Sequence, residues 1–256
     1  MDLSIEEMSL SGWPALQTIV YDGWILRFAE GHTKRSNSVS PLYASTIDPG
    51  EKIETCEAAY AARGLPTIFK ITDAESQEMI DEELEARGYA RIDETAVMTL
   101  DLSAFAAGGG GEAGAHGAFP GGVCEFRISE RFEVSWIDAF CACSKSEARR
   151  GTIERILANV SAGTIVASAV YGGEIVGCGY GAMDRGWVGL FDIVVRADAR
   201  RKGVGEGVVR AILEGAAGSG AGRAYLQVVS GNAAAESLYD KFGFEENYRY
   251  WYRRKD

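Results

Sequence analysis

The segment from Val194 to Leu213 reads VVRADARRKGVGEGVVRAIL, and it decides which fold the sequence predicts. It begins as a β-branched run, continues as a basic turn with three glycines, and ends as an amphipathic helix. A glycine-rich turn that opens a helix leaves the first N–H groups of that helix without intrahelical acceptors. Together with the helix dipole, these donors form a binding site for an anion such as a phosphate group. Arg200, Arg201 and Lys202 add long-range attraction for the same anion.

Composition and charge restrict the classes of partner. The chain has 256 residues, and its apolar content of 46% is ordinary for a globular protein. Its net charge of −11 argues against a nucleic-acid partner, which would need a basic face. Residues 1–102 carry 19 acidic and 8 basic side chains, whereas the remainder carries 18 of each, so an anionic ligand meets less repulsion there. No apolar run is long enough to span a membrane, and the acidic N-terminus lacks the features of a secretory signal.

The cysteines and histidines predict neither a disulfide framework nor a metal site. Five cysteines are an odd number in a long chain, and Cys141 and Cys143 are followed by no second pair. We expect structural thiols and a cytoplasmic location.

A Gly/Ala-rich tract at residues 103–121 predicts a flexible linker between two domains, 1–102 and 122–256. Before it, Asp22-Gly23 between two β-rich runs predicts a hairpin, and helices are expected at 51–63 and 76–87. After it, the pattern predicts helices near 132–143, 147–160, 205–217 and 232–242, with strands between them and a final strand in YRYWYRR.

The two halves repeat one pattern. Residues 65–102 and 222–254 both read strand, loop, helix, Gly-aromatic, strand. This spacing predicts a duplication of one α/β unit, although any two such units look alike at this level of detail.

Two motifs together resemble the GCN5-related N-acetyltransferase (GNAT) superfamily. One is Arg-x-x-Gly-x-Gly from Arg200 to Gly205, directly after the apolar strand WVGLFDIVV. The other is NAAAESLYDKFGF at residues 232–244, which matches the Asn-x-x-Ala-x-x-Leu-Tyr-x-x-x-Gly-Phe helix of that superfamily. The resemblance covers roughly residues 122–254. The N-terminal half lacks the loop motif and looks like the degenerate half of a two-repeat GNAT protein.

The resemblance implies a fold and a set of ligand-binding residues. The fold would be α/β, a mixed, mostly antiparallel twisted sheet flanked by helices and built twice. Acetyl-CoA would be the co-substrate, its pantetheine arm pairing with the last residues of the apolar strand and its pyrophosphate bound by the loop amides. The implied cofactor-binding residues are Ile193, Val194, Val195, Arg200, Arg201, Lys202, Gly203, Val204, Gly205, Glu206, Gly207 and Asn232.

Two residues are candidates for catalysis. The resemblance assigns Tyr239 as the acid that protonates the departing thiolate, with a half-buried structural aromatic as the alternative. Asp192 interrupts an apolar strand, where an unpaired carboxylate is costly, so it is the first candidate for the base that accepts the amine proton. An ion pair or a contact that orients the substrate is an equal alternative for Asp192, and Glu174 and Asp184 are weaker candidates.

Arg27 and Arg35 place cations in an otherwise acidic half. They could bind a substrate carboxylate by bidentate pairing, or they could pair with Glu30 or Asp22 at a sheet surface.

These observations predict an acetyl-CoA-dependent N-acetyltransferase that acts on a primary amine of a small molecule, amino acid or peptide. It would need no metal, nucleic acid or membrane, and would be a monomer with an internal pseudo-dimer or a homodimer. The alternatives are a non-catalytic CoA-binding or ligand-sensing module, and an acyltransferase with another donor or acceptor.

Overall fold

The computed structural model describes residues 1–103, 105, 118–119 and 122–255, so most of the predicted linker lies outside the described residues. The chain forms two compact units. The first contains Met1–Met98, Gln227–Glu236 and Glu246–Asp256, and the second contains Thr99–Leu226 and Ser237–Glu245.

Both units are built from strands and helices. The helices are α1 (Leu3–Gly12), α2 (Pro49–Ala61), α3 (Glu78–Ala86), α4 (Val134–Ser144), α5 (Arg150–Ala158), α6 (Val204–Gly218) and α7 (Ala233–Asp240). The strands are β1 (Gln17–Tyr21), β2 (Trp24–Phe28), β3 (Val39–Pro41), β4 (Thr67–Thr72), β5 (Ala90–Asp101), β6 (Ala118–Phe119), β7 (Gly122–Val123), β8 (Glu125–Ser129), β9 (Gly163–Tyr171), β10 (Glu174–Asp184), β11 (Trp187–Val195), β12 (Arg223–Val229) and β13 (Glu245–Lys255). No helix in the described ranges is long and apolar enough to cross a membrane.

In the first unit the strand order is β1-β2-β3-β4-β13, antiparallel except for the β3–β4 pair. The predicted hairpin is confirmed, since Asp22 and Gly23 both have positive φ, 40° and 83°, as a two-residue turn between twisted strands requires. One face of this sheet packs on α2 and α3. Its core members are Trp24, Leu26, Phe28, Val39, Ile53, Cys56, Tyr60, Phe69, Ile71, Ile80, Leu84 and Tyr89.

Helix α1, which the sequence did not predict, is held in the first unit by polar contacts. Its buried Glu6 accepts a hydrogen bond of 2.5 Å from Lys70 Nζ and one of 2.6 Å from the Tyr248 hydroxyl. Lys70 Nζ lies 4.1 Å from the centroid of the Tyr250 ring. Because Lys70 alternates with the core residues Phe69 and Ile71, it points to the opposite face of the sheet. The buried residues of α1 mix Glu6 and Ser9 with the apolar Ile5 and Met8, which explains why hydrophobic periodicity gives no clear signal for this helix.

The second unit has the strand order β12-β11-β10-β9-β8, with only the β11–β12 pair parallel. Helix α4 packs on one face through Trp136, whose ring contacts Tyr180 at a centroid distance of 6.2 Å and whose Nε1 donates to the Ala167 carbonyl at 3.0 Å. Helix α6 packs on the other face of β10. The predicted fold class, a duplicated mixed α/β sheet flanked by helices, is confirmed.

Three glycines at alternate positions of β10 set the distance between β10 and α6. A Cβ atom at Gly177 would lie 2.5 Å from Val204 Cγ1, and one at Gly181 would lie 2.7 Å from Ile212 Cγ2. At Gly179 it would lie 3.3 Å from Val208 Cγ1. Two strand residues advance about 6.6 Å and four helix residues about 6 Å, so the two repeats nearly match. One valine or isoleucine of the helix therefore packs over each glycine.

The last strand, β13, belongs mainly to the first unit. It pairs antiparallel with β4, from Tyr250 opposite Thr72 to Lys255 opposite Thr67. The chain therefore passes between the units more than once, whereas the sequence predicted a single passage at residues 103–121. Strand pairing over this separation leaves no local signal, because each strand pattern is compatible with either unit.

The buried pair of Glu6 and Lys70 gives a test of this packing. Glu6→Gln leaves the Lys70 ammonium buried without a counter-charge, so we expect the free energy of unfolding to fall by about 3–5 kcal/mol in urea denaturation. Glu125→Gln is the control, since Glu125 pairs with Arg127 in the open, where both side chains are 60% exposed, and its midpoint should not move. Equal effects of the two substitutions would contradict a structural role for the buried pair.

Candidate functional site

A β-bulge in β11 marks the centre of the site in the second unit. Cys178 pairs with Val194 and Tyr180 pairs with Phe191, which leaves Asp192 and Ile193 together opposite Gly179. Asp192 has a φ of 53°, in the left-handed region. A bulge adds a residue to one strand and redirects its side chain, and Asp is among the residues that tolerate this conformation.

The edge of β11 that faces β12 is paired only at its beginning. The ladder runs from Trp187 opposite Arg223 to Gly189 opposite Tyr225. Among the described residues no β12 ladder pair extends to Ile193, Val194 or Val195. The pairing of these three residues with an extended ligand stays a prediction.

The predicted anion loop has the geometry of an open helix start. Arg201 and Gly203 have positive φ values of 59° and 79°, and Gly203, the N-cap of α6, provides no side-chain cap. The first helical hydrogen bond runs from Gly207 N to Gly203 O at 2.9 Å. The amides of Val204, Gly205 and Glu206 precede it and have no intrahelical acceptor. Gly207, predicted as a further donor, instead uses its amide inside the helix.

Gly207 has a packing role as well. A Cβ atom there would collide with the ring of Phe126 from β8. Its small size therefore lets β8 close onto α6.

Charged side chains around the loop form ion pairs and hydrogen bonds with their neighbours. Arg196 binds Asp198 through Nε at 2.7 Å and Glu174 through Nη1 at 2.8 Å, which raises its pKa above the usual range. Arg200 Nε donates to the Val195 carbonyl at 3.1 Å. Glu206 accepts from Lys241 at 3.2 Å, so its charge is partly offset beside the helix start.

Tyr239 lies in the same unit and close to this loop. A Cβ atom at Gly205 would lie 3.6 Å from both Val195 Cγ2 and Leu238 Cδ2, so the end of β11, the start of α6 and the turn of α7 before Tyr239 meet there. Tyr239 is 8% exposed and its ring packs against Phe244. Burial, and then the negative charge of Asp192, raise the pKa of Tyr239 to about 12.

The structure thus brings together the two candidate catalytic residues, Tyr239 and Asp192. Asp192 also contributes, after burial and the neighbouring Cys143, to the raised pKa of Cys178 beneath the bulge. The two weaker candidates take part in ion pairs, since Glu174 binds Arg196 and Asp184 lies 3.5 Å from Arg185.

The remaining predicted residues lie in the first unit. Asn232 caps α7, its Oδ1 accepting from Ala235 N at 3.3 Å. Arg27 is buried and donates to the carbonyls of Leu10, Trp13 and Arg35.

Arg27 and Asp22, one of the pairings that the sequence left open, form no ion pair in the part of the chain that the structure describes. The Asp22 carboxylate accepts instead from Ser45, Thr46, Ile47 and Lys52. Hydrogen bonds from the loop before α2 and from Lys52 therefore satisfy the Asp22 carboxylate in place of an ion pair with Arg27.

The cysteines are all free thiols, four buried and Cys143 half-buried. Burial raises the pKa of each, to about 12 for Cys56. This agrees with the structural role that the sequence predicted.

Sequence reasoning missed the glycines of β10 and the Arg196 ion pairs. The first had a signal, because Gly177, Gly179 and Gly181 repeat at the period of a strand and so lie on one face. The second had none, since Glu174 and Asp198 are brought to Arg196 only by the fold.

Comparison with known proteins identifies the family. Residues 3–253 match the family described as probable histone acetyltransferase Rv0428c, C-terminal. The chain belongs to this acetyltransferase family and, with it, to the GNAT superfamily in its tandem arrangement. A curated relative, the uncharacterized N-acetyltransferase YobR of Bacillus subtilis, is 29% identical over 252 residues, which are 98% of this chain and 97% of the relative.

Solved structures share the fold over nearly the whole chain. A GCN5-related N-acetyltransferase from Kribbella flavida superimposes with a TM-score of 0.67 at 16% sequence identity. The match covers 99% of this chain and 95% of the Kribbella chain. A tandem GNAT protein from the clavulanic acid biosynthesis pathway, solved without acetyl-CoA, has a TM-score of 0.64 at 13% identity, covering 98% and 87%. The relatives indicate an N-acetyltransferase of the GNAT family.

The close packing around β10 can be tested at Gly179, where a Cβ atom would meet first Ile193 of β11 and then Val208 of α6. Gly179→Ala places a methyl group against Ile193 and Val208, so we expect the free energy of unfolding to fall by about 1–3 kcal/mol in urea. Gly163→Ala is the matched control, since its Cβ would meet only Met183 Cβ at 3.7 Å, an ordinary contact. If Gly179→Ala were as stable as the control, close packing would not be what requires glycine in β10.

Proposed function

We propose that the protein transfers an acetyl group from acetyl-CoA to a primary amine of a small molecule, amino acid or peptide. The observation that carries this proposal is the arrangement around the start of α6. An open set of helix N-terminal amides, a strand edge that β12 does not pair among the described residues, and a buried tyrosine lie in one unit, and the end of β11 and Leu238, the residue before Tyr239, both approach Gly205.

The residues present suit coenzyme A. The amides of Val204, Gly205 and Glu206, at the positive end of the α6 dipole, would hold the diphosphate. Arg200, Arg201 and Lys202 surround the same turn and attract its negative charge. The backbone of Ile193–Val195 would pair with the pantetheine amides, which directs the thioester toward the bulge at Asp192.

Tyr239 stabilises the departing sulfur in this proposal. Its pKa of about 12 keeps the phenol protonated at neutral pH. A thiol has a pKa of about 8.5. Complete transfer of the phenolic proton to the thiolate is therefore unfavourable as long as the pKa of Tyr239 stays near 12. Tyr239 therefore acts first as a hydrogen-bond donor to the negative charge that develops on sulfur.

Asp192 accepts the proton of the attacking amine, directly or through water. Attack requires a neutral amine, and most alkyl amines are protonated at pH 7. Once Asp192 is protonated, its charge no longer raises the pKa of Tyr239, so Tyr239 becomes a better acid at the moment when the thiolate leaves. The two residues are coupled by this electrostatic interaction.

Two alternatives remain as outcomes of experiment. A CoA-binding or ligand-sensing module would bind coenzyme A without releasing thiol from acetyl-CoA in the presence of amines. Transfer of another acyl group, or transfer to another acceptor, would use the same loop, since the loop contacts coenzyme A and not the acyl group.

The first test is Tyr239→Phe. We expect kcat for thiol release to fall by about 10²-fold or more, with nearly unchanged affinity for acetyl-CoA, because only the hydroxyl that faces the sulfur is removed. In the wild type, the raised pKa predicts no loss of rate from ionisation of Tyr239 between pH 8 and about 10. Tyr43→Phe, at an exposed tyrosine that binds Glu7, is the control and should keep full activity. An unchanged kcat in Tyr239→Phe would remove the tyrosine from the mechanism.

The second test is Asp192→Asn, which keeps the left-handed backbone conformation because Asn also tolerates it. We expect kcat/KM for the amine to fall at pH 7 and to recover about tenfold per pH unit, up to the pKa of the free amine, since only the neutral amine can then react. The measurement is a pH–rate profile of thiol release. A variant with a raised KM and the wild-type pH profile would assign Asp192 to substrate orientation instead.

A further inference from the structure

The sheet of the second unit ends at β8, and the outer edge of this strand is open. β8 pairs with β9 in unbroken antiparallel register, from Glu125 opposite Val170 to Ser129 opposite Val166. In the part of the chain that the structure describes, no further strand pairs with its other edge. Such an edge presents a row of backbone N–H and C=O groups without strand partners, and these groups can pair with another strand.

β8 has few of the features that normally protect a sheet edge. It contains no proline, lysine or bulge, and its charges are those of Glu125 and Arg127. Ile128 is 56% exposed, and Val123, which comes shortly before the strand, is 61% exposed. The edge therefore carries apolar side chains that a partner strand would cover.

The two faces of β8 differ in character. Phe126 faces α6, since a Cβ atom at Gly207 would collide with its ring, and Ile128 follows on the same face. Glu125 and Arg127 alternate with these residues and point to the other face. Arg127 binds Glu125 through Nε at 2.9 Å and through Nη2 at 2.7 Å. One face of the strand is thus apolar, and the other carries one charge of each sign.

An apolar groove lies beside this edge, between β8 and α6. Its volume is about 410 Å³. Cys124, Phe126 and Ile128 line it from the side of the strand, and Gly207 and Ala211 line it from the side of the helix. Because glycine and alanine occupy little space, the groove stays open to apolar side chains from outside.

The order of the charges in β8 selects one register for pairing with a second copy of the strand. Two identical strands pair antiparallel about a two-fold axis, and each register that keeps like faces together is centred on one residue. A register centred on Glu125 or on Arg127 would place like charges directly opposite each other, which is destabilising. The register centred on Phe126 places Glu125 of each copy opposite Arg127 of the other.

We propose that β8 is the interface of a homodimer, in which two copies of the chain pair their β8 edges antiparallel about Phe126. The pairing continues the sheet of one second unit into that of the other and satisfies the backbone groups of both edges. Each Glu125 meets Arg127 of the second copy. Each Ile128 lies opposite Cys124 of the second copy, at the groove beside α6. The edge complements itself in charge and in hydrophobicity, as a two-fold contact requires.

The contact is small, so the association is weak. Two five-residue strands and one groove bury less surface than the interface of a permanent dimer, and we expect dimers at about 50 μM chain and monomers below about 1 μM. Stability measurements on single variants therefore belong at submicromolar chain, where association adds nothing to the free energy of unfolding. The proposal does not depend on acetyl transfer, because its test measures mass and not turnover.

Sedimentation velocity of the full chain tests the proposal. The weight-average mass should rise from one chain toward two between about 1 and 200 μM. Glu125→Arg places like charges opposite each other in the paired register, so it should raise the dissociation constant by about tenfold or more, and Arg127→Glu should do the same. The double variant Glu125→Arg/Arg127→Glu exchanges the two charges, which again places opposite charges together, so it should recover the wild-type dimer.

Controls separate the interface from effects of net charge and of folding. Glu125→Arg reduces the net charge of −11, which by itself favours association, so a loss of dimer has another cause. Glu54→Arg makes the same change in the first unit, at a 69% exposed side chain that pairs with Arg87 at 3.5 Å, and should keep the wild-type mass. All variants should keep the wild-type melting temperature at submicromolar chain, since the substituted side chains are largely exposed.

Two results would overturn the proposal. One is the mass of a single chain at every concentration up to about 200 μM in the wild type. The other is a wild-type dimer that Glu125→Arg leaves intact or that the double variant fails to restore, because the contact would then lie elsewhere or have another register.

Discussion

The close contact between β10 and α6 is the constraint on which the site depends. Glycines at three alternate positions let the helix approach the sheet more closely than any side chain would permit. The contact starts at Val204, the first residue of the helix, so it also fixes where the unpaired amides stand relative to the end of β11. The unpaired amides at the start of α6 are thus positioned by the packing of β10 glycines against apolar side chains of the helix, none of which is a candidate catalytic residue.

The bulge in β11 has a complementary role. Its extra residue turns Asp192 out of the alternation of the strand and places its charge where it acts on Tyr239. The irregularity accounts for an acidic residue in an apolar strand, and the charge of Asp192 adds to the pKa of Tyr239, which burial raises most. In the described part of the first unit, no glycine-rich loop opens a helix, and α1 packs near the sheet face that carries Lys70.

The sequence predicted the parts of the site that depend on local chemistry. The loop at Arg200–Gly205, the helix that carries Tyr239 and the hairpin at Asp22-Gly23 all follow from residue types at fixed spacing. It did not predict the position of β13 or the carbonyl partners of Arg27, because these contacts join residues that are distant along the chain. It also gave no sign of the left-handed conformation of Asp192, which depends on the pairing register of two strands.

The central claim is that bare amides at the start of α6 hold a diphosphate, and calorimetry tests it most directly. The chain should be titrated with coenzyme A and, separately, with pantetheine, which has the same arm but no diphosphate. The account predicts saturable binding of coenzyme A and affinity for pantetheine at least a hundredfold weaker. No saturation with coenzyme A at millimolar concentration, or equal affinity for the two compounds, would contradict it.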